Sequence, residues 1–150
     1  MTVTWIVLAD RTRASIRRQR TPKGPFEHVE DIDHPDGRLH TSQLGTDRPG
    51  QTSDSAHGHP HAFEPHETIA EHEAHSFAKA IAHRLHAASN ARRFDALVLV
   101  AEPRFLGLLR AALDHATQQR VRGEIRHRLV DASDADIAQH LVKESLHVAG

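Results

Sequence analysis

The chain lacks cysteine and tyrosine, and aromatic residues make up only 4% of it. Without cysteine, the sequence excludes disulfides, thiolate metal sites and cysteine nucleophiles. Few aromatic rings also argue against a surface that binds nucleic acid by stacking bases on exposed side chains. No apolar run has the length of a membrane span, and residues 1–10 have no basic segment typical of a signal peptide. We therefore expect a cytoplasmic protein with no membrane partner.

A length of 150 residues suits one domain with its own core, so we expect a single α/β domain over residues 1–150. Net charge is only −1, yet it is unevenly distributed. Residues 11–23 contain six basic side chains and no acidic one. This segment predicts a local basic face, to which we assign Arg11 and Arg13 as candidate contacts for phosphate groups.

The clearest structural signal is a strand followed at once by a helix. Leu97–Ala101 is an uninterrupted apolar run of strand length, typical of a central strand covered on both faces. Pro103 then suits a first helical position, and apolar residues recur after it at helical spacing. Together they indicate a strand-to-helix unit of an α/β domain.

Weaker patterns complete the predicted order of elements: three strands, a long loop, a helix, the central strand, its helix, a fifth strand and a last helix. The order predicts an α/β fold of ribonuclease-H-like type, with a mixed five-stranded sheet in which an antiparallel meander is extended by parallel crossover strands and helices pack on the sheet. Right-handed crossovers would place the fourth strand beside the first. The predicted segments are strands at Val3–Asp10, Ala14–Arg20, Phe26–Ile32 and Ile125–Leu129, and helices at Thr68–Ser89 and after Ser133.

The long loop, His34–His66, is rich in histidine, glycine and proline and has few apolar residues. A connection of this length is usually functional or disordered. His57, His59 and His61 lie close together in it and could bind a divalent metal, since imidazole is a common metal ligand. The alternative is that they are ordinary surface histidines and that the protein has no cofactor.

Two acidic residues follow the strands predicted to be adjacent, Asp10 after the first and Glu102 after the fourth. Because ligands of open α/β sheets gather at the carboxyl ends of parallel strands, they form a candidate acidic site. Arg48 and Arg104 could flank an anion there, beside the N–H groups at the start of a helix. The simpler alternatives are that Asp10 caps a turn and that Arg48 pins the loop through a salt bridge.

Several segments together resemble the bacterial host attachment protein family: Thr4–Ala14, His34–Arg38, Asp47–Gly50 and Phe94–Leu113. That family in turn is similar to the middle domain of archaeal and eukaryotic class-1 release factors, which carries a Gly-Gly-Gln tip into the ribosome. The resemblance implies that His34–His66 corresponds to the tip loop and that the partner is the ribosome or RNA. Gly50 and Gln51 match the end of the tip, but Pro49 replaces its first glycine, so peptidyl-tRNA hydrolysis is not implied.

The sequence thus favours a non-catalytic module that binds RNA through its long loop and its arginines, with no catalytic residue assigned. A metal-dependent nuclease or hydrolase that uses Asp10 is one alternative, because two-metal cleavage needs converging carboxylates. A stress or host-interaction protein without chemistry, bound to an unknown protein partner, is the other.

Overall fold

The computed structural model describes residues 2–21, 23–34 and 68–144. Within these residues the chain forms five strands and four helices. The strands are β1 (Thr4–Ala9), β2 (Arg13–Gln19), β3 (Phe26–Asp33), β4 (Ala96–Val100) and β5 (Val121–Ile125). The helices are α1 (Ile69–Asn90), α2 (Pro103–Ala112), α3 (His115–Gln118) and α4 (Asp134–Lys143).

The strands form one mixed, open sheet in the order β3-β2-β1-β4-β5. β1, β2 and β3 pair antiparallel, whereas β4 pairs parallel with β1 and β5 parallel with β4. This confirms the predicted α/β class, the meander with its parallel extension, and the position of the fourth strand beside the first. The finer ribonuclease-H-like assignment stays a prediction.

β1 is covered on both faces, as its apolar sequence predicts. Trp5, Val7 and Ala9 belong to one buried cluster, and Ile6 and Leu8 belong to a second cluster on the opposite face. Burying each large apolar side chain contributes about 1.5–3 kcal/mol to stability, so this strand anchors both sides of the core.

Helices pack on both faces of the sheet. α1 begins with a capping box in which the Thr68 hydroxyl accepts from the Glu71 N–H and the Glu71 carboxylate accepts from the Thr68 N–H. The buried faces of α1 and α2 join the cluster of Trp5. α4 covers the other face, where Ile137 and Leu141 are buried in the cluster of Ile6. The sheet is therefore the middle of three layers.

The fifth strand was predicted too late in the chain. β5 runs from Val121 to Ile125. It ends there because its neighbour β4 ends at Val100, and the last hydrogen bond between the two segments runs from the Ala101 N–H to the Ile125 carbonyl (3.1 Å). The apolar residues after Ile125 lie in a turn that packs on the second cluster. The four-residue helix α3 was not predicted, since so short an element has no measurable periodicity.

Candidate nucleic-acid interface

The carboxyl ends of β1 and β4 meet at one edge of the sheet, which we call the carboxyl edge. The two strands are parallel neighbours in a register that pairs Leu8 with Val100. Asp10 and Glu102 come two residues after these partners, so both lie at the carboxyl edge. The structure thereby gives the candidate acidic residues the common location that the sequence suggested.

Asp10 is bonded to the turn that follows β1. Its Oδ1 accepts from the N–H groups of Thr12 (2.8 Å) and Arg13 (3.0 Å) and from the Thr12 hydroxyl (3.1 Å), while Oδ2 accepts from Arg128 (2.9 Å). Partial burial raises the pKa of Asp10, but the hydrogen bonds from Thr12, Arg13 and Arg128 lower it by more, so it lies below its ordinary value of 3.8. Asp10 is therefore a charged cap of the β1–β2 turn.

Glu102 has a comparable role at the start of α2. Its carboxylate accepts from the N–H groups of Phe105 (2.7 Å) and Arg104 (3.3 Å), so the chain itself supplies a negative group at this helix N-terminus. An anion between Arg48 and Arg104 would have to displace this carboxylate or bind beside it. Arg104 contacts Glu71 of α1 at 3.1 Å but is 71% exposed, which leaves its guanidinium accessible.

Most arginines of the basic segment are engaged by carboxylates. Arg13 pairs with Asp131, Arg17 with Asp134, and Arg18 and Arg20 both with Glu27. Arg11 is the exception in this segment: its side chain has no carboxylate partner among the residues that the structure describes. The predicted basic face thus contains fewer available cations than its sequence suggests.

The residues that flank the 35–67 segment both lie at the carboxyl edge. The His34 N–H donates to the Thr12 carbonyl (3.0 Å), and its ring stacks on Phe77 and lies 3.0 Å from the Glu73 carboxylate. Thr68 starts α1, whose Glu71 contacts Arg104 at the start of α2. The described residues on either side of the 35–67 segment are therefore found at the same edge of the sheet.

Six of the residues assigned from sequence lie outside the described residues: Arg48, Gly50, Gln51, His57, His59 and His61. Their part in anion or metal binding stays a prediction. Over residues 2–21, 23–34 and 68–144, no three histidine, aspartate or glutamate side chains are grouped so that they could hold a metal ion.

Sequence reasoning missed the partners of Asp10 and of His34. Arg128 is 118 residues from Asp10, and it also contacts Asp131 at 3.1 Å, which ties the β1–β2 turn to the segment before α4. Glu73 is 39 residues from His34. No local spacing signals such pairs; only the sheet order, which brings the ends of β1, β3 and β5 to one edge, could have suggested them.

A second polar group lies at the opposite end of α1. A pocket between α1 and the turn before α3 is lined by Lys79, His83, His86 and Asp114, together with two alanines. Asp114 accepts from the Thr117 hydroxyl, which lowers the pKa of Asp114 despite the opposing effect of desolvation, and His86 adds to the lowering. His86 Nδ1 lies 3.0 Å from Asp114 Oδ2, which brings α1 next to the turn before α3.

The fold and this edge define an α/β domain with an open mixed sheet, whose 35–67 segment is flanked by residues at the carboxyl ends of the parallel strands. The chain belongs to the family described as "Protein required for attachment to host cells", whose model matches residues 5–141. A comparison with curated proteins found no match. None of the described helices combines the length and the apolar character needed to cross a bilayer.

Two solved archaeal structures are similar to this chain. One is an archaeal translation termination factor, aRF1, with a TM-score of 0.51 and 10% sequence identity over 95% of this chain. The other is described only as an archaeal protein, with a TM-score of 0.45 and 10% identity. This chain spans about two-fifths of the length of both, 39% and 38%. At such identity the likeness to the termination factor concerns the fold alone.

Proposed function

We propose that this protein is a non-catalytic, release-factor-like module that binds RNA, with the ribosome as the expected setting. The 35–67 segment and the arginines at the carboxyl edge would make the contacts. The observation that carries the proposal is the position of His34 and Thr68, which flank that segment at the same edge as Arg11 and Arg104. A translation termination factor with a similar fold supports the choice of partner.

The described chemistry favours binding over metal-dependent cleavage. A nuclease of the two-metal type needs carboxylate oxygens free for metal ions. Both oxygens of Asp10 accept hydrogen bonds from the chain, and the Glu102 carboxylate caps α2. Arg104, by contrast, is exposed and can exchange its weak surface pair with Glu71 for a phosphate group.

The proposal is tested by filter binding of ribosomal RNA and transfer RNA to the purified protein over a salt series. If guanidinium groups contact phosphates, the logarithm of the binding constant falls linearly with the logarithm of salt concentration, by about 0.7–0.9 for each contact. No binding at the lowest salt concentration would overturn the proposal. A pure protein-interaction module would give that result.

The roles of Arg48 and Arg104 are tested together in the same assay. We expect Arg48→Ala with Arg104→Ala to weaken binding and to lower the salt slope by about 1.5, the contribution of two phosphate contacts. Arg84→Gln is the control, because Arg84 lies in the second half of α1 and pairs with Glu30. Lower thermal stability with unchanged RNA binding would show that Arg48 and Arg104 only hold the structure together.

A further inference from the structure

The arginines of the described residues fall into two groups. Eight contact a carboxylate, and their positive charge is largely compensated: Arg13, Arg17, Arg18, Arg20, Arg84, Arg104, Arg110 and Arg128. For the other six, the described part of the chain provides no carboxylate partner: Arg11, Arg92, Arg93, Arg120, Arg122 and Arg126. Uncompensated guanidinium groups can bind an anionic ligand without first giving up a carboxylate, as Arg104 would have to.

Four of these six lie where β4 and β5 begin, at the end of the sheet opposite the carboxyl edge. Arg92 and Arg93 are in the turn between α1 and β4, Arg120 precedes β5, and Arg122 is its second residue. Ser89 joins two of them, because its carbonyl accepts from the Arg92 N–H (3.0 Å) and its hydroxyl accepts from Arg120 Nε (2.9 Å). We call Arg92, Arg93, Arg120 and Arg122 the amino-edge patch.

Arg92 occupies a backbone position that normally belongs to glycine. α1 ends in a Schellman motif, in which the Arg93 N–H donates to the Ala88 carbonyl (2.9 Å) and the Arg92 N–H to the Ser89 carbonyl. In this motif the residue after the cap is left-handed, and Arg92 has φ = 57°. Glycine adopts that conformation without a steric cost. An arginine at this position therefore points to a role for its side chain.

The settings of Arg93 and Arg122 are consistent with such a role. The Arg93 guanidinium lies 5.0 Å from the centroid of the Trp5 ring, which holds it in place without neutralising it. The β4–β5 register shifts so that Leu97 pairs with Val121 and Val98 with Gly123, which makes Arg122 the extra residue of a bulge. Bulges often redirect a side chain next to a functional site. Arg122 is exposed.

The acidic groups near the patch are already engaged. Asp95 lies in the same turn as Arg93, and its carboxylate accepts from the Val3 N–H at 2.9 Å. Asp114 is held by Thr117 and His86, and Glu124 of β5 pairs with Arg110 at 2.8 Å. Hydrogen bonds do not cancel the charges of Asp95 and Asp114, but neither carboxylate forms an ion pair with one of the four arginines in the described part of the chain.

We propose that the amino-edge patch is a second RNA-binding surface, which contacts the phosphate backbone and reads no base. This inference rests on the proposed function for its class of ligand. Guanidinium groups match phosphate oxygens in pairs of hydrogen bonds. Trp5, the aromatic residue beneath the patch, is 1% exposed and offers no surface for base stacking. Binding here is therefore independent of RNA sequence.

The distance between the two edges defines the kind of RNA. β1, β4 and β5 contain five or six residues each, and such strands are about 16–20 Å long. A ligand that contacts both the amino-edge patch and the carboxyl edge must reach along a whole strand. A folded RNA meets this requirement, whereas a mononucleotide or a dinucleotide is too short.

The test uses two single variants, Arg92→Gly and Arg122→Gln, and their combination. Arg92→Gly places the favoured residue in the left-handed position, so its melting temperature should stay the same or rise by up to about 4 °C. The double variant should bind ribosomal RNA with a salt slope lower by about 1.5, as for two lost phosphate contacts. Stability and binding should thus change independently.

Arg84→Gln serves as the control for loss of one charge, because Arg84 is compensated by Glu30 and lies away from the patch. If Arg92 only complements the negative end of the α1 dipole, Arg92→Gly lowers stability and leaves binding intact, and the inference is wrong. Should Arg92→Gly be unstable, Arg122→Gln decides alone, since its side chain supports no described contact. Unchanged binding by both variants, alongside weaker binding by the Arg48 and Arg104 variant, would overturn the patch but not the proposed function.

Discussion

Asp10 shows how a residue that resembles a catalytic carboxylate serves the architecture instead. It stands at the carboxyl end of a central strand, where a metal-binding acid would also stand. Its oxygens accept from two backbone N–H groups and from Arg128, so its charge stabilises the β1–β2 turn and links that turn to the segment before α4. Only the contacts, not the position in sequence, distinguish the two roles.

We predict that Asp10→Ala lowers the free energy of unfolding by about 1–2 kcal/mol near neutral pH, because two backbone N–H groups and Arg128 lose their acceptor. The pKa of Asp10 is lowered in the folded protein, so its contribution is present above about pH 4 and is lost as the pH falls through that lower pKa. In urea unfolding, the difference in free energy of unfolding between wild type and Asp10→Ala should therefore be large at about pH 7 and small at about pH 3.

Asp10→Asn is the matched variant for this experiment. It keeps an acceptor for the Thr12 N–H but has no titratable charge, so it should cost less than alanine at neutral pH. A difference between wild type and Asp10→Ala that is equal at both pH values would contradict the assigned role of the carboxylate.

At the scale of elements, α2 contains a glycine that its structure does not require. Gly107 is the fifth residue of the helix, and a Cβ built on it meets no atom within 4 Å. Gly107→Ala should raise the free energy of unfolding by about 0.5–1 kcal/mol, since alanine loses less backbone entropy in a helix. Thermal unfolding should show a melting temperature about 1–4 °C higher.

Gly24→Ala is the contrasting substitution. A Cβ at Gly24 would lie 2.3 Å from the Thr21 hydroxyl oxygen and 3.2 Å from the Thr21 carbonyl oxygen, so the turn must shift to accept it. We expect a lower melting temperature for this variant. If Gly107→Ala and Gly24→Ala changed the melting temperature in the same direction, the results would not be explained by backbone entropy at Gly107 and by the contact with Thr21 at Gly24.

The elements that could be predicted from sequence are those with local signals. The Thr68 capping box and the apolar face of α1 marked that helix, and Pro103 marked the start of α2. The β1 and β4 segments were marked by continuous apolar runs. β5 was misplaced because Val121–Ile125 contains an arginine, a glycine and a glutamate, whose burial depends on pairing with β4 rather than on pattern.

At the scale of the whole molecule, the sheet order followed from the rule for crossover connections, and that order placed Asp10 and Glu102 at one edge. The use of each charged side chain could not be predicted in the same way. Nothing in the sequence around Arg13 and Arg92 distinguishes their roles. In the structure, however, Arg13 pairs with Asp131, whereas Arg92 has no carboxylate partner among the described residues. Such pairing depends on long-range contacts that only the fold creates.

We expect that most of the 35–67 segment can be replaced without unfolding the protein. Two large apolar clusters are formed among the described residues. His34 is bonded to Glu73 of α1 at 3.0 Å, so a short Gly/Ser linker in place of residues 37–65 can join the flanking elements. We expect this shortened protein to keep the melting temperature of wild type.

The proposed function requires that the protein bind the ribosome through the carboxyl edge and the 35–67 segment. The most direct measurement is co-sedimentation of the wild-type and shortened proteins with ribosomes over a salt series. We predict that wild type sediments with ribosomes at low salt and dissociates as salt rises, and that the shortened protein dissociates at clearly lower salt. Wild type that stays in the supernatant at the lowest salt, or a shortened protein that binds as tightly as wild type, would contradict the claim.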